Sequence, residues 1–160
     1  MNNTTIGLFF IRLLLGVIFL IVGFNVVQAQ KMDNKKLEKI LSKHTDKLEG
    51  NPGYWQFKYF QLYLIVVTDE THNRMRIITP IVKVEELDST LMAQALKANF
   101  HSVLDAKYAI ADDILWSVFL HPLKELTEEQ IESAIKQVYS ASVTFGTSFS
   151  GGDLVFPVAE

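Results

Sequence analysis

The sequence predicts a small α+β domain, an antiparallel sheet of about five strands with helices on one face, in the order α-β-β-β-α-β-β-α. Three observations carry that prediction. Segments with apolar residues at helical spacing alternate with runs rich in aromatic and β-branched residues, in that order along the chain. Short polar turns separate the strand-like runs, as hairpins require, where parallel strands would need long crossovers. Once the first 29 residues are set aside, the remaining 131 suffice for one domain that buries roughly two-thirds of its unfolded surface without disulfide staples.

The elements follow in order. Residues 31–49 read as a solvent-facing helix with Leu37, Ile40, Leu41 and Leu48 on one stripe, ended by the loop Gly50-Asn51-Pro52-Gly53. In residues 54–68, Trp55, Phe57 and Tyr59 alternate with polar Gln56 and Lys58, as in a half-buried strand; from Phe60 to Val67 both faces turn apolar, as in a central one. Such a run is long for a single strand, which predicts a break near Phe60-Gln61. Residues 69–73 supply a turn into a strand over 74–84. That strand has Met75, Ile77, Thr79 and Ile81 on the packed face, and Pro80 places it at an edge or bends it. Residues 88–104 read as a second helix, buried along Leu87, Leu91, Ala95 and along Met92, Leu96, Phe100, Val103. A hairpin follows, 107–111 and 114–120 about Asp112-Asp113, closed by Pro122. The third helix has the clearest start: Thr127 caps it, Gln130 completes a capping box, and Leu126 staples to Ile131. Its buried stripe runs through Ile131, Ala134, Ile135, Val138 and Phe145, and Gly146 ends it. Beyond it, Leu154-Val155-Phe156 reads as a final short strand or a packed arm.

Residues 1–29 read as a signal peptide. Arg12 and the amino terminus precede an apolar run over 13–27, and Val27 and Ala29 occupy the −3 and −1 positions of a cut after Ala29. The apolar run falls short of the roughly 20 residues that span a bilayer. Because residues 6–11 are apolar too, a retained inner-membrane anchor and a buried cytosolic helix are the alternatives. Export to the periplasm or beyond is the expectation, with membrane association only if the leader is retained.

Composition excludes several kinds of chemistry. The chain has no cysteine, hence no disulfide, thiolate nucleophile or cysteine-ligated zinc. Without the leader, 14 basic residues face 18 acidic ones, a net charge of −4, and no basic stripe breaks that balance; nucleic acid is therefore not an expected partner. His44, His72, His101 and His121 lack the i, i+4 spacing of a helical metal site, and no metal or cofactor is expected. Asp112-Asp113 reads as a solvated turn. Gly146-Thr-Ser-Phe-Ser150 departs from the Gly-x-Ser-x-Gly nucleophile elbow in its last residue and in following a helix. No catalytic residue is expected. The aromatic cluster Tyr54, Trp55, Phe57, Tyr59, Phe60, Tyr63 is denser than a small core needs, so part of it is read as core and part as a partner-binding face.

Several segments carry a family resemblance: Arg74-Met-Arg-Ile-Ile-Thr-Pro-Ile81, Ala98-Asn-Phe100, Leu104-Asp-Ala-Lys-Tyr-Ala-Ile110, Leu115-Trp116, His121-Pro-Leu-Lys-Glu-Leu126, Gln137-Val138 and Phe145-Gly146. Together, over roughly residues 55–156, the chain is similar to uncharacterised bacterial proteins of the YbjN family and, more remotely, to the type III secretion chaperone-like (Tir chaperone) fold. The resemblance implies the element order above, a homodimer, and apolar patches that hold a segment of a protein partner. It implies no catalytic residues. Secretion chaperones act in the cytosol, whereas this leader reads as an export signal.

The leading expectation is therefore a non-enzymatic, chaperone-like protein-binding module, dimeric through a helix or a sheet edge. Its candidate binding residues are Arg74, Arg76, Tyr108, Trp116, His121, Trp55 and Phe57. A small-ligand or enzymatic protein is the alternative, and it requires Arg74, Arg76, Tyr108, Trp116 and His121 to converge on one pocket. A membrane-tethered structural protein is the third reading.

Overall fold

In the computed structural model, residues 31–147 are described. The leader over 1–29 and the arm over 154–156 lie outside them. Three helices and six strands run in the order α1 (Asn34–Leu41), β1 (Leu48–Asn51), β2 (Tyr54–Tyr59), β3 (Leu62–Asp69), β4 (Arg74–Lys83), α2 (Ser89–His101), β5 (Lys107–Ala111), β6 (Ile114–His121) and α3 (Glu128–Val143), with a 3-10 turn at Val84–Glu86 before α2. The strands form one antiparallel sheet in the spatial order β1-β2-β3-β4-β6-β5. Among the described residues no helix is long and apolar enough to cross a membrane.

The expected α+β architecture is present, with one strand more than predicted. The first helix is shorter than residues 31–49, and its last turns are replaced by β1. Asp33 caps α1, its carboxylate accepting from the Lys36 N–H at 2.8 Å. Just beyond the helix, Thr45 Oγ1 accepts the Lys47 N–H at 3.2 Å and donates to the Lys47 carbonyl at 3.1 Å, a local alternative to helical bonding. Leu48 then pairs with Phe57 across the sheet instead of extending the helical stripe. Gly50 is obligatory there: its φ is +117°, and an added Cβ would stand 2.2 Å from the Tyr54 carbonyl oxygen.

The predicted break in the long aromatic run is the two-residue turn Phe60-Gln61 joining β2 to β3, with Phe60 at φ +51°. Pro80 marks a bend and not an edge. β4 lies between β3 and β6, and its register with β6 slips between Pro80 and Val82. Asp112 and Asp113 have φ of 51° and 57° between the paired Ala111 and Ile114, so the β5–β6 connection is a two-residue turn with both central residues left-handed.

Alternate residues of every central strand are buried on one face: Trp55 and Phe57, Leu64 and Val66, Met75, Ile77 and Thr79, Leu115, Ser117 and Phe119. Against them lies α3, through Ile131, Ala134, Ile135, Val138 and Ala141, and beside it α1, through Leu37, Ile40 and Leu41. The capping box of α3 forms as predicted, with Gln130 N–H donating to Thr127 Oγ1 and Thr127 N–H to Gln130 Oε1.

The second helix departs from expectation. Only Ala95 and Ala98 on it are buried, with Val103 just past its end, while Met92, Leu96 and Phe100 stand at the surface. The reason is its location: α2 runs beside the edge strand β5, close enough that alanines fill the contact. Asn99 reaches the strand backbone, accepting from Tyr108 N–H at 2.7 Å and donating to the Tyr108 carbonyl at 3.1 Å. The large side chains of the helix consequently face outward.

Candidate functional site

Parity along the strands divides the candidate residues between two faces. Arg74 and Arg76 alternate with buried Met75 and Ile77, and so stand on the face that carries none of the core. Arg76 pairs with Val67 on one side and Leu120 on the other; Arg74 pairs with Asp69 and donates from Nη1 to the Asn73 carbonyl at 3.1 Å. Trp116 is on the same open face, paired with Pro80 and Ala109, its Nε1–H donating to the Ala111 carbonyl at 3.0 Å. Four residues of β6 separate its position from that of Leu120, about 13 Å along the strand.

The other candidates lie on the helix-covered side. Trp55 and Phe57 are each only 1% exposed and belong to the core, so neither presents a surface to a partner. Tyr108 is buried opposite Ser117, its hydroxyl donating to the Ala141 carbonyl at 2.6 Å and its ring edge-on to Phe145 at 5.4 Å. Burial pushes its phenol up to about 12. His121 stacks on Phe119 with 5.9 Å between centroids and donates from Nδ1 to the adjacent Pro122 carbonyl at 2.8 Å. Arg74, Arg76, Tyr108, Trp116 and His121 therefore do not converge.

Two surface depressions illustrate the separation. One of about 740 Å³ lies between the α1–β1 loop and β2, lined by Lys43, His44, Lys47, Lys58, Phe60 and Tyr63, and of the candidates it touches Phe57 alone. The second, about 380 Å³, is bounded by Lys107, Phe119, His121, Gln130 and Gln137, and holds His121 alone of that set. Among the described residues no three His, Asp or Glu side chains gather as a metal site. His72 is tied to Asp69, whose two carboxylate oxygens accept from its backbone N–H at 2.9 Å and meet its Nδ1 at 2.6 Å. Those bonds hold the Asp69 carboxyl below its usual range.

What the strands do assemble is a continuous apolar field on the open face. In cross-strand rows, Ile65, Ile78 and Val118 lie side by side, flanked by Val67 and Leu120 toward Arg76 and by Tyr63 and Trp116 at the other end. Leu120 and Tyr63 are 58% and 54% exposed, and the remainder are half-buried. Most of these residues were not singled out from the sequence. Their signal was the doubly apolar pattern of residues 60–67, which marks a strand interior to its sheet without saying that one face goes uncovered.

No protein-family profile matches the chain, and no curated protein sequence matches it. Solved structures do. A chain of the ExsC–ExsE complex superimposes with a TM-score of 0.54 at 14% identity, over 69% of this chain and 92% of that one. The complex of the Yersinia pestis type III secretion chaperone SycH with a stable fragment of YscM2 contains a chain that matches with a TM-score of 0.53 at 15% identity, over 71% and 98%. The fold is that of a secretion chaperone. The HopA1–SchA chaperone–effector complex provides a third match, with a TM-score of 0.53 at 12% identity, over 68% of this chain and 87% of that one. The secretion-chaperone-like fold expected from the sequence is thus present, with its sheet extended to six strands by β1.

Proposed function

We propose that the protein is a non-enzymatic, chaperone-like module whose open sheet face holds an extended apolar segment of a protein partner. The observation that carries the reading is the row Ile65–Ile78–Val118 with Tyr63, Trp116 and Leu120, an apolar surface at the centre of the sheet that no described helix covers. Support comes from the fold, shared at low identity with chains solved in complex with protein partners. Arg74 and Arg76 at one end of the field suit a segment that carries acidic residues beside its apolar ones. The small-ligand alternative lacks the convergent pocket it needs.

The reading includes three finer parts. The chain works as a homodimer, formed through a helix or a sheet edge; it is exported, with the leader removed after Ala29; and its nearer kinship is to YbjN-like proteins, as the segments between Arg74 and Gly146 suggest. Holdase activity tests the central claim. The wild-type protein should suppress light scattering by a chemically unfolded client at stoichiometric ratio, and the Tyr63→Asp/Leu120→Asp variant should lose that suppression while keeping its unfolding midpoint. Equal suppression by both proteins, or none by either, refutes the assignment. Sequencing the mature amino terminus tests export: Gln30 supports cleavage, and Met1 a retained leader.

A further inference from the structure

The second surface left apolar is on α2. Met92, Leu96 and Phe100 recur at i, i+4 spacing along its outward side; Leu96 is 71% exposed, and Leu104, three residues past the helix, is 73% exposed. It lies off the open sheet face, on a helix that stands beside the edge strand. Its chemistry is one-sided: α2 contains no acid, and Lys97 is its only Lys or Arg.

The chain returns to this helix at the end of α3. Phe145 packs edge-on to Tyr108 of β5, and Gly146, with φ +75°, lies where an added Cβ would touch Leu91 Cδ2 of α2 at 3.8 Å. Thirteen residues follow Thr147. Extended, they reach about 40 Å, twice the roughly 20 Å length of α2. They contain Phe149, the pair Gly151-Gly152, the apolar triplet Leu154-Val155-Phe156, two acids in Asp153 and Glu160, and no base. We propose that residues 148–160 of the same chain dock on the outward stripe of α2, with Leu154, Val155 and Phe156 as the apolar anchors.

The tether favours this occupant over a second copy. A connection of only six residues, 148–153, holds the triplet at an effective concentration on the order of millimolar, which a second molecule of comparable affinity does not reach in dilute solution. Sign of charge agrees, since the segment is acidic and the helix is not. The inference does not depend on the holdase reading, because it concerns a different surface and has its own readout.

The absence of cysteine makes the test direct. In the full chain, Leu96→Cys is combined in turn with Phe149→Cys, Leu154→Cys or Phe156→Cys and mildly oxidised. The control places the first cysteine at exposed Lys136 of α3, about 16 Å from Thr147 along the helix and within equal reach of the tail. Expected is an intrachain disulfide in at least one Leu96 pair, formed at least tenfold faster than in the matching Lys136 pair and at a rate independent of protein concentration. Equal rates at both positions overturn the proposal, as does a product consisting only of interchain dimers, which would assign the stripe to a second copy.

Discussion

The side-chain amide of Asn99 brackets the backbone of Tyr108, accepting from its N–H at 2.7 Å and donating to its carbonyl at 3.1 Å. One side chain thus stands in for one residue of a missing neighbouring strand at the outer edge of β5. Replacing Asn99 by Ala should cost about 1–3 kcal/mol, since two strand groups lose their partners. Asn99→Asp should cost nearly as much, because a carboxylate cannot donate to the Tyr108 carbonyl. Urea unfolding of both variants measures this, and an Asp variant as stable as wild type would refute the bracket.

Tyr108 also gives the fold an alkaline limit. Its phenol is pushed up to about 12 by burial, against about 10 in an unfolded chain. Between those values the unfolded chain releases a proton that the folded one keeps, so stability falls as pH rises through the window. The loss should be about 2 kcal/mol by pH 12. Tyr108→Phe should cost about 1 kcal/mol at neutral pH through the lost bond to Ala141, and make the alkaline slope shallower. Some slope should remain, since burial also raises Tyr59. Denaturant midpoints at pH 8, 10 and 11.5 would check the difference.

The β5–β6 turn holds two left-handed aspartates where the favoured pair ends in glycine. Asp113→Gly should therefore raise stability by about 0.5 kcal/mol, the relief of a left-handed side chain less the entropy glycine loses. Thermal unfolding should show a small upward shift. Gly50→Ala should act the other way, costing more than about 2 kcal/mol as its Cβ meets the Tyr54 carbonyl.

Arg74 and Arg76 lie exposed on the open face, and no acid of this chain closes an ion pair on either among the salt bridges of the described residues. Reversing both to Glu should change folding stability by less than about 0.5 kcal/mol. If they contact a partner segment or a second subunit, the same variant should bind its client or dimerise more weakly. Sedimentation and client binding that both match wild type would make these arginines ordinary surface charge.

Much of the fold could be read from residue order because its signals are local. The capping box at Thr127-Gln130, the break at Phe60-Gln61 and the turn at Asp112-Asp113 are each set by a few adjacent residues. Pro80 announced a distortion but not its kind, because the choice between edge and bulge depends on which strand lies alongside. The misreadings were tertiary. Leu96 and Phe100 carry the spacing of a buried stripe, and nothing in that spacing says the helix approaches its strand through Ala95, Ala98 and Asn99. Leu48 fits the helical period of Leu37 and Leu41 equally well, and only its pairing with Phe57 makes it a strand residue. For the site, sequence periodicity placed Arg74 and Arg76 on the open face, but it could not show that Trp55 and Phe57 go to the opposite one along with α3.

The two ends of the sheet are unlike, and that difference limits growth. At β5 the outward groups of Tyr108 are already satisfied by Asn99, so an incoming strand would lose two ladder bonds there. At β1, four residues ending beside Pro52 form the terminal strand. Among the described strands β1 is the more open end, and two molecules meeting β1 to β1 consume both copies of it. Such an assembly closes at two copies, whereas a fibril needs a live end after every addition.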